Sequence, residues 1–474
     1  MLFNSYPFVL LVFVTFVIYY LPRWQALQLY VLIFASFTFY GFHQPYLLLL
    51  LIASASVNAI ASYSIYQTSN LSRQYVFALV GVLFNLLVLS SFKYNGMLTG
   101  LIVDDINSLD GMASVLVFLP LPIGISFYTF QGISLLIDVY RQRKGDKLKW
   151  HIVIPTSFLH HYRDTLFFIT FFPQLVAGPI VKAHDFLPQI GTKYFKDVDW
   201  NYTIRILILG YFLKMVVADN LQNQTFWLSF YDIQSTLTLL VIMFGYSVQI
   251  FADFAGYSLI AIGVASLYGY RLPQNFDFPY LSSSFSEFWK RWHMTLGLWL
   301  KEYLYIPLGG NRKGELRNYI NLMIVMTLGG LWHGASLNFV FWGMFHGALL
   351  VLERFFLRYV HLPQNVGVTV VQTIVVFSFV SFGWLFFQLD MQGFFGLMHA
   401  LVHNGSVNHN LGILAMVFFY TLPVVIYYVN HLLYGRSEYY KSLIDGKWPF
   451  VYGLMLFGII FQSGNSNAFI YFQF

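Results

Sequence analysis

The chain has 474 residues, of which 58% are hydrophobic and only 10% charged, whereas soluble domains carry about 25% charged residues. That balance excludes a soluble enzyme. The absence of cysteine excludes a disulfide framework and a thiol nucleophile, and the net charge of +6 reflects topology and anionic headgroups rather than nucleic acid.

Uncharged stretches recur at 1–22, 24–72, 74–92, 111–137, 318–352, 359–389, 391–435 and 448–474. A helix crosses a bilayer with about 20 apolar residues. The runs therefore predict an all-α, polytopic integral membrane protein of about 11 transmembrane helices. The linkers are too short for a separate globular domain, so residues 1–474 read as a single membrane domain.

The first run lacks a basic n-region and a small-residue cleavage site, and further spans follow at once, so it reads as a span and not a cleavable signal. Arg23 is the first basic residue and places the N-terminus outside. Residues 1–95 are poor in ionisable groups and read as scaffold helices.

From 120 onward the texture changes. Leu119-Pro120-Leu121-Pro122-Ile123-Gly124 and the stretch Phe171 to Pro179 put Pro and Gly inside apolar runs. Broken backbone at membrane depth survives only where protein buries it or where it lines a cavity, so re-entrant segments or kinked helices are expected. Two basic groups are assigned to the cytoplasm: Arg141, Arg143, Lys144, Lys147 and Lys149, then Arg312, Lys313 and Arg317. Residues 401–410 lack Lys and Arg and are assigned outside. His151, His160, His161 and Asp164 match no zinc spacing, and Arg163 lies among them, so they read as a polar interfacial loop; no metal is expected. No internal repeat is visible, which counts against an inverted-repeat transporter.

Asp253 is the only acid in 233–270, and Gln249 and Tyr257 stand four residues to either side on one helical face. They line a tunnel or satisfy one another. Between Leu272 and Leu308, Ser282 to Ser284 followed by Glu287 make a helix start. The interleaved Trp289, Lys290, Arg291, Trp292, Trp299, Lys301 and Tyr303 suit an interfacial anchor, a cytoplasmic vestibule for an anionic ligand, or both. His333 lies midway along the uncharged run from Asn318 to Leu352, between Gly329-Gly330 and Gly334. An ionisable group at that depth is a functional candidate, and a helix-joining hydrogen bond is the alternative. His346 is read as a packing histidine or a partner to the site.

Four blocks, Gly124 to Gln131, Phe172 to Ile180, Phe288 to His293 and Leu331 to Ala335, occur in an order that resembles the membrane-bound O-acyltransferase (MBOAT) family. Within it they are similar to the bacterial branch that acetylates alginate and peptidoglycan. The resemblance covers most of the chain. It implies helices around a central funnel or tunnel, a catalytic core over 120–352, and a place in the bacterial cytoplasmic membrane. It also implies acetyl transfer from cytoplasmic acetyl-CoA to an extracytoplasmic glycan through a serine-hydrolase-like (SGNH) partner, with no bound cofactor. His333 corresponds to the family's essential histidine, and His293 to a second that is commonly required. Trp332, Lys290, Arg291, Asp253, Gln249 and Tyr257 become candidates for binding the donor or lining the tunnel. The chain departs from the family at Leu259, where a second carboxylate is usual, and at Lys290 and Glu302, where Arg and Asp are expected. Lysine lacks the bidentate fork of arginine, so a phosphate or carboxylate is gripped more loosely there.

A thioester is already activated, so the enzyme's task is to deprotonate a hydroxyl. Neutral imidazole suits that task, and His333 is the expected general base. His293 holds the thioester, orients the base or polarises the carbonyl. Residues 465–474 end in Phe469-Ile470-Tyr471-Phe472-Gln473-Phe474, an aromatic motif resembling one in the D-alanylation system of teichoic acids. By that analogy Tyr471 carries the acetyl group; otherwise these rings pack or belong to an interfacial belt. The competing class is a transporter or flippase of an acyl donor or glycan lipid, with transport that survives loss of both histidines. A purely structural subunit leaves the histidine motifs unexplained.

Overall fold

Long apolar runs can satisfy their backbone polar groups inside a bilayer only as helix or closed barrel, and here they form helix. The computed structural model describes residues 1–100, 121–176, 178–360, 362–363 and 365–465, and no strand occurs among them. Six of the described helices are long and apolar enough to cross a membrane, or up to eight if each of two bent pairs is one span. By that criterion the expected eleven is not confirmed. One reason is breakage: the first helix and its continuation Pro22–Gly41 meet at 104°. The chain divides into two compact units, Met1–Ile204 with Ala261–Pro273, and Arg205–Ile260 with Gln274–Phe474.

The first unit contains α1 (Tyr6–Tyr20), α2 (Gln28–Gly41), α3 (Leu47–Gln67), α4 (Leu71–Lys93), α5 (Ile125–Lys144) and α6 (Phe158–Thr170). Helix α3 packs against α4, α5 and α6. Polar side chains stitch this scaffold. Asn58 and Asn85 exchange amide hydrogen bonds of 3.2 and 2.9 Å between α3 and α4. Such bonds hold helices together where apolar burial gives no net drive. His160, His161 and Asp164 are not on a loop, as the sequence reading has it, but on α6. His161 is buried, with Nε2 2.8 Å from Ser62 Oγ, and Arg163 pairs with Asp164 at 2.7 Å. The four-residue period of buried positions in α6 wins over the polarity of the cluster. The break after α6 is real: Phe171 to Val176 is buried, and a short turn of helix at Phe172–Leu175 starts with Pro173 near its N-terminus. Gln174 donates to the Phe168 carbonyl at 2.6 Å, which satisfies a backbone acceptor freed by the break.

The second unit carries His293, His333 and His346. Helix α7 (Trp200–Tyr211) runs into a π-helical segment, Phe212–Ala218, and then α8 (Asp219–Thr225). There follow α9 (Thr236–Leu267), α10 (Phe285–Arg291), α11 (Met294–Leu300), α12 (Glu315–His333), α13 (Leu337–Tyr359) and α14 (Val366–Gln388). Helices Met391–His403, Leu411–Tyr434, Glu438–Asp445 and Trp448–Phe461 complete the described part. The uncharged run around His333 is therefore not one span with the histidine midway. It is two antiparallel-connected helices, with His333 the last residue of α12.

Candidate active site

The hairpin of α12 and α13 sets the position of His333. A Cβ on Gly343 would lie 2.8 Å from Thr327 Cα and overlap the Met326 carbonyl oxygen, and one on Gly330 would lie 3.1 Å from Gly343 Cα. The two backbones are in direct contact, as glycine allows in membrane helix pairs. Ser336 then caps α13, its Oγ accepting from Asn338 N–H at 3.3 Å. Asn338 donates to the Leu389 carbonyl at 2.6 Å and ties the tip to the end of α14. His333 is only 5% exposed at this tip. Its ring is enclosed by Trp342 (5.0 Å between centroids), Trp332 (5.2 Å) and Phe387 (5.2 Å).

His293 reaches the same enclosure from the break between α10 and α11, with its ring 6.4 Å from that of His333. It has φ 43° and ψ 52°, a left-handed conformation that disfavours any residue with a Cβ. The break is clamped from both sides. Met294 N–H donates to Asn275 O at 2.9 Å, Thr295 Oγ to Asn275 Oδ1 at 2.9 Å, and Asp277 N–H to Arg291 O at 3.0 Å. The start of α10 has the capping box expected from its serines: Ser284 Oγ accepts from Glu287 N–H, and Glu287 accepts from Ser283 N–H at 2.8 Å. A feature not anticipated from sequence is Glu353 of α13, whose carboxylate accepts from Phe285 N–H (2.6 Å) and Ser286 N–H (2.9 Å). An anion at a helix N-terminus is favourable, and here it anchors α10 to the hairpin that bears His333. The ring of Phe254 on α9 packs edge-on to His293 at 4.6 Å, and the Trp332 ring lies tilted against His293 at 5.6 Å. His293 is 1% exposed, and neither ring nitrogen has a hydrogen-bond partner among the described residues. Two unsatisfied nitrogens on a buried ring are costly unless a ligand or water completes them.

The other candidates divide. His346 is fully buried against Trp342 (4.9 Å) and Trp289 (5.1 Å), and like His293 it has no hydrogen bond at either ring nitrogen among the described residues. Arg291 is drawn into local pairs with Glu287 (2.9 Å) and Asp277 (3.8 Å). Lys290 is exposed and makes no ion pair among the described residues, so it is the less engaged of the two candidate cations. Gln249 does not pair with Asp253; it accepts from Thr225 Oγ. Asp253 binds Lys214, whose Nζ lies 2.7 Å from Asp253 Oδ1 and 2.7 Å from Asp219 Oδ1, and 5.5 Å from the centre of the Tyr257 ring. Motif reading passes over Lys214 and Asp219. Their signal is a cation and a carboxylate five residues apart in an apolar run. Tyr471 lies outside the described residues. The segment leading to it is held on the π-helical turn, Gly464 N–H donating to Met215 O and Asn220 to Gln462 O, both at 2.9 Å. An apolar cavity of about 670 Å³ between α1 and α2 is lined by residues such as Leu10, Val14, Ile18 and Phe34, and no histidine, carboxylate, lysine or arginine stands on its walls.

Comparison with known proteins identifies the family. Residues 119–395 match the MBOAT, membrane-bound O-acyltransferase family model. The chain is 36% identical to a peptidoglycan O-acetyltransferase of Helicobacter pylori over 75% of its own length and 70% of the relative's. It is 32% identical to the probable alginate O-acetylase AlgI of Pseudomonas aeruginosa, over 95% and 84% respectively. A teichoic acid D-alanyltransferase of Bacillus subtilis is 30% identical over 56% of this chain and 68% of the relative. A multi-pass helical chain with two buried, adjacent histidines at the motif positions, matched by these relatives over most of its length, belongs to the membrane-bound O-acyltransferase family and is an acyltransferase.

Proposed function

We propose that this enzyme takes acetyl from cytoplasmic acetyl-CoA and delivers it for O-acetylation of an extracytoplasmic glycan, peptidoglycan or an alginate-like polysaccharide, from the bacterial cytoplasmic membrane. The observation that carries the reading is the pair of buried imidazoles, 6.4 Å apart in an aromatic enclosure, one of them with both nitrogens unsatisfied. His333 removes the proton from the attacking hydroxyl as the carbonyl carbon is attacked, and thiolate departs. His293 directs a ring N–H at the carbonyl oxygen, where negative charge develops. The aromatic walls exclude water, which would otherwise hydrolyse the thioester.

Orientation fits transfer across the membrane. Arg312, Lys313 and Arg317 flank the start of α12, and Arg354 and Arg358 the end of α13; basic residues take the cytoplasmic side. Helix α12 has 19 residues and rises about 28 Å, so His333 stands toward the external end. Lys290 receives the anionic part of the donor. A serine-hydrolase-like partner outside the membrane takes over the acetyl group, and Tyr471 is the candidate carrier. A phenolate ester is a better acyl donor than an alkyl ester, so onward transfer to a sugar hydroxyl is downhill.

The test is transfer of labelled acetyl from acetyl-CoA by purified protein, with the label located by peptide mapping. His333→Ala abolishes transfer. Tyr471→Phe abolishes it with expression unchanged; normal activity in that variant removes the tyrosine carrier but keeps the enzyme. Transport of donor or glycan lipid that survives loss of both histidines, with no transfer, establishes the transporter instead.

A further inference from the structure

The strongest feature left unused is the buried ion cluster of Lys214, Asp219 and Asp253. We propose that it is a positioning device for His293, acting through Phe254. This inference rests on the acyl-transfer reading of His293.

The cluster exists because of the π-helical turn. In an α-helix residues five apart point about 140° away from each other, but π-helical hydrogen bonds close five residues back. Lys214 and Asp219, five apart across Phe212–Ala218, are thereby brought onto one side and pair at 2.7 Å. The same Nζ reaches Asp253 of α9 at 2.7 Å, and each of the three side chains is no more than 4% exposed. One cation and two carboxylates in such surroundings are a poor source of stability, since desolvation costs several kcal/mol per ion and apolar side chains of the same volume commonly do as well. Fixed geometry is what they supply.

That geometry converges on His293. The cation grips α9 at Asp253 and, one turn on, over the Tyr257 ring. Between these points the backbones touch: a Cβ on Gly256 would lie 2.8 Å from Gly210 O and 2.9 Å from Lys214 N. Helix α9 is therefore held against rotation at the residue that precedes Phe254. The Phe254 ring is 4.6 Å from His293, nearer than the rings of Trp332 at 5.6 Å and His333 at 6.4 Å, which approach it from α12. With no hydrogen bond to either nitrogen among the described residues, the imidazole takes its orientation from ring packing and its backbone clamp. Turning α9 by a few degrees moves Phe254 and releases it.

The experiment uses the full chain in nanodiscs with four variants: the charge-free set Lys214→Met/Asp219→Asn/Asp253→Asn, Asp253→Asn alone, Phe254→Leu alone, and Asp253→Asn combined with Phe254→Leu. Two readouts are taken, kcat and KM for acetyl-CoA, and modification of His293 by diethylpyrocarbonate mapped on peptides. In the wild type His293 is protected. The charge-free set and Phe254→Leu expose it and lower kcat about 10- to 100-fold, with KM for the donor within a factor of about 2 because ground-state binding is untouched. Asp253→Asn and Phe254→Leu combined are no worse than the worse single variant, since both act on one contact. A folded charge-free set with protected His293 and full kcat overturns the proposal. If that set does not fold, the pair of single variants decides, and losses that multiply independently overturn it. Exposure of His293 by these variants in a protein that shows no acetyl transfer in wild-type form overturns the acyl-transfer reading instead and leaves the positioning role standing.

Discussion

The glycine crossing of α12 and α13 gives a quantitative prediction. Gly343→Ala places a methyl carbon 2.8 Å from Thr327 Cα, where carbon atoms rest at about 3.5–4.0 Å. Backbone cannot yield as a flexible side chain would, so the helices must part by about 1 Å at this level. Overpacking of this kind costs about 1–3 kcal/mol. The larger effect falls on catalysis, because His333 is the last residue of α12 and moves with it, and a displacement of about 1 Å costs on the order of 100-fold in rate. The assay is kcat for acetyl transfer beside the temperature of half-inactivation in nanodiscs. The expected result is a steep loss of kcat with KM little changed and a modest loss of heat resistance. Gly330→Ala behaves alike, and the double variant loses less than the sum, because a gap opened once serves both methyl groups. Gly343→Ala with wild-type kcat and heat resistance refutes the reasoning, since it shows the crossing to be slack.

Two further outcomes are expected. His293→Gly is inactive but more stable than His293→Ala by about 1 kcal/mol, because glycine adopts the left-handed backbone without strain; thermal unfolding of the two proteins, followed by loss of the folded peak on size exclusion, measures it. Lys290→Ala raises KM for acetyl-CoA several-fold with kcat preserved, and the difference between wild type and variant shrinks as salt is added, since the exposed cation acts through a screened interaction; steady-state kinetics across ionic strength test it.

Much of the site was legible in sequence because it is written in local motifs. The structure brings together His333 and His293, the two residues the motifs single out, although His333 ends α12 instead of lying midway along one span. What stayed hidden depends on partners distant in the chain. Glu353 caps α10 from 68 residues away, and Phe387 closes the enclosure of His333 from the far end of α14; neither carries a local pattern. Lys214 and Asp219 escaped for a different reason: α-helical spacing rules set them on different faces, and only a π-helical turn unites them. The polar cluster at His160 to Asp164 misled because it was judged by side-chain polarity, whereas Ser62, 99 residues from His161, supplies the partner that lets it be buried in a helix. Counting apolar runs gives more spans than the six to eight that length and hydropathy pick out among the described residues, which leaves the count of eleven unconfirmed. Bends, and polar residues at the start of helices such as α12, take several segments below the length and hydropathy of a self-sufficient span.

That last property of α12 bears on how the protein is made. With Glu315, Arg317, Asn318 and Asn321 in its first two turns, it is not among the six described helices apolar enough to cross alone, whereas α13 is. A nascent segment is accepted into the bilayer on its own apolarity, so α12 waits at the translocation channel until α13 has been synthesised. The interlocking glycines then let the two enter as one hairpin. His333 thus reaches its place only after the chain has grown past it by a full helix, and a chain stopped before α13 leaves α12 without the partner that carries it into the bilayer.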